Sequence, residues 1–446
     1  MDSMDRRKFI RKAGTGAAGL AVAGPWITSA LAKNSPNETI RVAVMGIHSR
    51  GSAHAENFAK MDNVEVALIC DIDENLLPKA VADVEKIQGK KPRTEVDIRK
   101  VVEDKEIDVI SIASCNHWHS LAAIWACQHG KDVYVEKPVS YCIWEGRKLV
   151  EAARKYDRIV QVGSQNRTRP LVAAAMDFMH NGKIGDLYMI RIPFVRPRDS
   201  IGRGKVTEIP KGVHYDLWLG PAPWRPFIDN RFHYNWHWFW DTGNGETGNN
   251  GPHYMDMARW ALQKYEHPRK IQSIGGYYQW DCDQETPNTQ TSVLEYADGK
   301  LVQFEVRGLY DNPDQYGMWF IGTEGYLQLH SNKWSTFYGR KNEPGESMDE
   351  TQANTAYNVL DVRGGGDEPH FENFIKAVRA HDRSILTADI LEGHLAAAMC
   401  HFCNISYRVG RTIYFDSERE EMVGDEEAQR LVSREYRYPY VVPEEV

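Results

Sequence analysis

Glu136 and Lys137 put a carboxylate and an amine side by side after Asp132-Val133-Tyr134-Val135, a run that reads as a buried strand. Open α/β sheets bind ligands at the carboxyl ends of their strands, and Pro138 turns the chain out of the sheet there. Charged residues flank most strands, so the tripeptide alone says little. His253 lies in a stretch, 249–261, that reads as a helix with Asn249 and His253 on one face, and His253 with Asp256 or Met257. A neutral imidazole accepts a proton from a hydroxyl near neutrality and suits general acid/base work. A lone helical histidine is more often structural, and His253 gains weight only beside Lys137.

A third set is built to meet a phosphate. Gly46-Ile47-His48-Ser49-Arg50-Gly51 joins a strand over 40–45 to a helix over 52–60, and a second strand follows over 64–70. This βαβ unit keeps the first and third glycines of GxGxxG and places His48 at the second. Gly46 would make the tight turn, the backbone of His48, Ser49 and Arg50 would face a pyrophosphate at the helix N-terminus, and Gly51 would let helix and strand pack closely. Asp71 ends the second strand 20 residues after Gly51, where a carboxylate binds a ribose 2'-hydroxyl. With Asp73 and Glu74 beside it, a 2'-phosphate is repelled, so NAD is expected over NADP. A strand over 107–113, an exit loop over 114–119 and a helix over 121–129 continue the doubly wound pattern.

The second half changes character. Strands are expected over 184–195, 271–280, 289–296, 301–309 and 318–329, with Asp298-Gly299 marking a hairpin, which implies an antiparallel-rich sheet. Between the first two lies a long segment, 197–240, ending in Arg231-Phe232-His233-Tyr234-Asn235-Trp236-His237-Trp238-Phe239-Trp240. Rigid rings with polar tips suit a ligand showing a CH face and a hydroxyl rim, and Trp238 is the candidate sugar contact. His233 and His237 stand four apart, but no cysteine or carboxylate completes a set, so no metal is expected. Residues 241–248 read as a loop, 371–380 and 391–407 as packing helices, and 418–427 as a solvated acidic face.

The 446 residues allow two or three domains. Five basic and two acidic side chains in the first 32 residues contribute +3 to the net −8, leaving −11 on the rest, a poor surface for nucleic acid or an anionic membrane. No apolar run approaches the roughly 20 residues of a membrane span. Seven cysteines without a CxxC...CxxC pattern suggest neither a disulfide framework nor structural zinc.

The N-terminus reads as an address. Arg6-Arg7 precede Phe9, a weakly apolar Gly/Ala stretch follows, and Ala30-Leu31-Ala32 offers a cleavage site. This resembles a twin-arginine export signal, giving a leader over 1–32, a nucleotide-binding domain over 33–165, a substrate and oligomerisation domain over 166–446, and a periplasmic location. Such signals carry folded proteins, often with cofactor bound.

Together, the leader, the 46–51 turn, Asp71, Asn116-His117-Trp118-His119, Glu136-Lys137-Pro138, Gln165-Asn166-Arg167, the run from Asn249 to Asp256, Gly322-Thr323-Glu324-Gly325 and Tyr436-Arg437-Tyr438-Pro439 resemble the glucose-fructose oxidoreductase, inositol dehydrogenase and MocA family. The resemblance implies a Rossmann doubly wound parallel sheet (α/β), then an open, mostly antiparallel sheet domain (α+β) with helices on one face. It implies that Asn116, His119, Glu136 and Gln165 lie by the cofactor, that Lys137 polarises the reacting hydroxyl, that His253 is the acid/base, and that Asn166, Arg167 and Asn249 meet substrate. Asn249 departs from the Asp of inositol dehydrogenases. The expected activity is an NAD-dependent oxidation of a secondary CH–OH of a sugar or glycoside, with tightly held cofactor, in a homodimer or tetramer. Two alternatives are a redox-neutral glycoside hydrolase or lyase using transient oxidation, and a non-catalytic sugar-binding protein. Lys137 with His253 argues against the last. The Glu-Lys-Pro, missing from the branch that removes N-acetylgalactosamine, favours net oxidation.

Overall fold

The computed structural model describes residues 38–310, 316–356 and 367–446. The twin-arginine leader lies outside the described residues. The first sheet is built from β1 (Ile40–Met45), β2 (Val64–Cys70), β3 (Arg93–Glu95), β4 (Val109–Ile112), β5 (Asp132–Val135) and β6 (Val160–Val162). Its order, β3-β2-β1-β4-β5-β6, is parallel throughout, and the switch point falls between β1 and β4. Helices α1 (Arg50–Ala59), α2 (Leu77–Gln88), α3 (Ile98–Glu103), α4 (Asn116–Gln128) and α5 (Ile143–Lys155) connect them. Val42, Val44, Val66, Val109 and Ile110 are fully enclosed, as strands covered on both faces must be.

After α6 (Pro170–His180), strand β7 (Leu187–Val195) enters a second sheet of ten strands. It is joined by β8 (Lys270–Gly276), β9 (Thr289–Glu295), β10 (Leu301–Arg307), β11 (Met318–Gly322), β12 (Gly325–Leu329), β13 (Lys333–Tyr338), β14 (Glu343–Asp349), β15 (Ile413–Asp416) and β16 (Glu421–Met422). All neighbours are antiparallel except β7 and β10. One face packs on α7 (Gly245–Leu262) and α8 (Ile390–Val409) through Phe304, Phe320, Met255 and Phe402. The other face carries Ile274, Val293 and Tyr414 in the open.

Four local expectations are corrected. Residues 116–119 open α4 rather than forming a loop, because His117 and Trp118 are buried and bond the Trp218 carbonyl. Tertiary contact thus outweighs middling helix propensity. Residues 245–248 already belong to α7. The expected strand over 318–329 folds back at Thr323-Glu324 into the β11–β12 hairpin. Glu420, placed on a solvated face, instead turns inward to Arg147, His267 and His394.

The two sheets share helices. The helix α9 (Glu368–Ala380) follows β14 in the chain, yet Phe371 and Phe374 pack against Phe58 and Tyr134 of the first sheet's layer. Tyr440, Val442 and Val446 complete its other face.

Candidate active site

The switch point between β1 and β4 opens into a cleft of about 590 Å³, within the size range of small-ligand sites. Gly46 has φ of 82°, and a Cβ there would lie 2.9 Å from the Ala113 carbonyl. A Cβ on Gly51 would fall 1.6 Å from the Gly46 oxygen, so α1 can begin directly under the turn only with glycine at this position. Gly51 therefore supports the turn without lining the cleft.

Asp71 stands at the tip of β2 and lines the cleft. Its Oδ2 accepts from the Ile47 amide at 2.7 Å and its Oδ1 from the Asp73 amide at 2.9 Å. Burial raises its pKa and these amides oppose the rise. Each oxygen keeps a lone pair for a ribose hydroxyl. The glycine cradle and this carboxylate fit a dinucleotide.

His48 lines the cleft with its ring turned to the long aromatic segment. Its ring stacks on His233 of the long aromatic segment at 4.9 Å, and His233 Nε2 lies 2.9 Å from Asp73 Oδ2. The same segment is tied to the Asp71–Asn75 loop at Glu74 N to Gly212 O, His214 N to Ile72 O and Asn75 Nδ2 to Lys211 O. It lies across the adenosine side of the cleft as a strap.

At the far end, Glu136 Oε1 accepts from Arg50 Nε at 2.7 Å and meets His54 Nε2 at 3.1 Å. Burial alone would raise the Glu136 pKa, but the Arg50 charge and the His54 bond outweigh it and hold it well below the ordinary carboxylate value. Arg50 also grips Asp367 at the start of α9. Lys137 Nζ donates to the Asn249 carbonyl oxygen at 2.7 Å. Burial lowers the Lys137 pKa despite Glu136. His253 faces the same space. Burial first, then the Lys137 charge, bring its pKa to about 3, and its Nδ1 has no partner. An unperturbed imidazole titrates near 6.5, whereas here the ring stays neutral throughout the physiological range.

The structure gathers Gly46, His48, Ser49, Arg50, Asp71, Asn116, His119, Glu136, Lys137, Gln165, Asn249 and His253 around one cleft. His119 sits with its ring nitrogens near the carbonyls of Pro138 and Ser114, and Asn116 bonds Asn244. The Gln165 amide and the Tyr134 hydroxyl are 3.0 Å apart. Three expected substrate contacts lie elsewhere. Arg167 is clamped to Asp256 at 2.8 Å and Glu392 at 2.9 Å, bracing α7 one turn beyond His253. Asn166 does not line the cleft, and Trp238 is buried behind it, under Arg198 at 5.2 Å from the ring centre. Trp218, Trp236 and His237 line the cleft instead. Sequence reasoning missed His54 and Asp367. The spacing of Arg50 and His54 by four on one helix was a usable signal; nothing local marks Asp367.

Two family descriptions match this chain: "Oxidoreductase family, NAD-binding Rossmann fold" over residues 40–164, and "Oxidoreductase family, C-terminal alpha/beta domain" over 201–330 and 360–442. A glycosyl hydrolase family 109 protein of Shewanella sp. (strain ANA-3) is 27% identical over 174 residues, 35% of this chain and 38% of that protein. The alpha-N-acetylgalactosaminidase of Shewanella oneidensis is 26% identical, with the same coverage. The match thus spans 38% of the length of these relatives. Levoglucosan dehydrogenase in complex with NADH and levoglucosan shares the fold at a TM-score of 0.64 and 16% identity, covering 86% of this chain and 99% of that one. The WlbA dehydrogenase from Bordetella pertussis in complex with NADH and UDP-GlcNAcA does so at 0.61 and 18%, covering 85% and 99%. With the whole first sheet and most of the second-sheet strands inside the matched regions, this chain belongs to the Gfo/Idh/MocA oxidoreductase family, whose first domain binds NAD.

Proposed function

We propose that the protein oxidises a secondary alcohol of a sugar or glycoside with a tightly held NAD. The observation that carries this is the convergence of Lys137 and His253 on one cleft whose other end has a glycine cradle and Asp71. Bound NAD supplies the hydride acceptor. Lys137, held by the Asn249 carbonyl, stabilises negative charge as it develops on the carbinol oxygen. His253, neutral and lining the cleft, takes the hydroxyl proton at a ring nitrogen, directly or through water. The complexes of levoglucosan dehydrogenase and WlbA with NADH and sugar ligands support the substrate class.

The names of the curated relatives favour a second reading. Transient oxidation acidifies a neighbouring C–H, a leaving group departs, water adds and the hydride returns, giving net glycoside hydrolysis. These relatives stand against the preference for net oxidation drawn from Glu136-Lys137-Pro138. The Arg6-Arg7 leader supports a periplasmic enzyme. The open sheet face with Ile274, Val293 and Tyr414 supports a homodimer or tetramer.

Incubating the purified protein with a panel of glycosides tests both readings, followed by nicotinamide absorbance and mass spectrometry. A keto-sugar is the expected product; a cleaved glycoside with unchanged cofactor selects the second reading. Neither product from any glycoside would overturn both.

A further inference from the structure

The substrate end of the cleft carries more positive charge than the proposed chemistry uses. Among the described residues, four carboxylates line the cleft, and none pairs with the cations facing the substrate space. Glu136 and Asp367 are held by Arg50, Asp97 is held by Arg99, and Asp71 sits at the adenosine end. Lys137 has the Asn249 carbonyl. Arg196 remains.

Arg196 lies one residue beyond β7, where its amide bonds the Arg307 carbonyl and its side chain reaches the cleft wall. Two residues earlier, the Phe194 ring lies 5.3 Å from that of Tyr254, the residue after His253, which sets this end of β7 beside the reacting centre rather than at the pyrophosphate turn. Among the described residues no carboxylate pairs with it. Arg198, two residues on, shows the contrast: Glu246 grips it at 2.9 and 3.1 Å and Tyr234 holds a third nitrogen, so Glu246 is already engaged.

A guanidinium presents a planar fork that matches a carboxylate or a phosphate-type oxyanion with two parallel hydrogen bonds. Arg196 is exposed where the cleft meets solvent, so its fork is open to an incoming ligand. We infer that the substrate is an anionic sugar, bearing a carboxylate or a phosphate or sulfate ester that docks on Arg196 while its carbinol meets Lys137. The inference rests on the sugar-oxidoreductase reading of the same cleft.

The test compares matched sets on the holoprotein: glucose with glucuronate, glucose 6-phosphate and glucose 6-sulfate, and the galactose counterparts, each free and as the methyl glycoside. Turnover is read as keto-sugar or cleaved glycoside by mass spectrometry. An anionic member should exceed its neutral partner in kcat/KM by roughly ten- to a hundredfold, the range of a charge-assisted hydrogen bond. The uronate, phosphate and sulfate arms separate the three oxyanions. Arg196→Met should collapse that ratio toward one, Arg196→Lys should restore part of it, and Arg196→Glu should invert it. Retained NAD content and circular dichroism check that each variant is folded and loaded. Neutral sugars turned over as well as anionic ones, or a ratio unmoved in Arg196→Met, overturns the inference and leaves the sugar reading standing. Silence toward every sugar by protein that retains NAD overturns the sugar reading, and the inference with it.

Discussion

His48 and His233 lie face to face, 4.9 Å between ring centres and 20° between planes, although 185 positions separate them in the chain. The pair explains how a histidine is tolerated at the middle glycine of a phosphate-binding turn. Its side chain stacks on the strap, while His233 continues to Asp73.

That arrangement bears on cofactor exchange. The purified protein should carry nearly stoichiometric NAD(H), released on denaturation and assayed in the supernatant. His233→Ala removes both the stack and the Asp73 contact and should raise the dissociation rate about tenfold or more; bound dinucleotide also raises the melting temperature, so apo variants should melt lower. An empty, folded wild type that turns over only with added NAD would place it among ordinary exchanging dehydrogenases.

Asp71 sets the expected cofactor preference. A carboxylate beside a 2'-phosphate meets like-charge repulsion, so NAD should bind more tightly than NADP, and Asp71→Ser should narrow the gap. Titration of the apoprotein with both dinucleotides measures this. Equal affinities in the wild type would remove Asp71 from the role.

Lys137→Ala should abolish turnover while sparing the fold, because the ammonium acts on charge that develops only in the transition state. His253→Ala should reduce the rate roughly a hundred- to ten-thousandfold. With the His253 pKa near 3, the acid side of the pH–rate profile should not bend near 6.5 on its account. Near-wild-type rates in His253→Ala would pass the proton to Lys137.

Several enclosed imidazoles make acid the weak side of stability. His117 and His401 have pKa values brought by burial to about 3, and His370 and His394 to about 4. Above about 6.5 these rings are neutral folded or unfolded. As pH falls below that, only the unfolded chain takes up the protons, so each ring costs up to about 1.4 kcal/mol of stability per pH unit until its folded pKa is reached. Melting temperature should fall steadily from pH 6.5 to 4. A flat profile would mean that water reaches these rings.

The parts of the site that were legible in sequence lie close together along the chain. β1, its turn, α1 and the carboxylate after β2 follow from alternation, glycine placement and spacing, all local properties. Arg167 and Trp238 misled for the opposite reason. An arginine beside a strand end looks available until Asp256 and Glu392, 89 and 225 positions away, saturate it. A tryptophan in an aromatic run gives no sign of which neighbour faces the cleft, and here Trp236 does while Trp238 turns under Arg198. The clasp of Arg50 on Asp367 spans 317 positions and has no local trace.

The packing of α9 and the last turns of chain against the first sheet also governs the order of events during synthesis. Phe371, Phe374 and Ile375 on one side, and Ala388, Ile390, Tyr440, Val442 and Val446 on the other, finish the hydrophobic layers that β1 to β6 begin. On the ribosome the nucleotide domain is made first but left with both flanks unsealed until the polypeptide beyond residue 370 has emerged. Its nascent form should therefore expose apolar surface, and stalled or truncated translation products should be cleared by proteases rather than accumulate as a free dinucleotide-binding fragment.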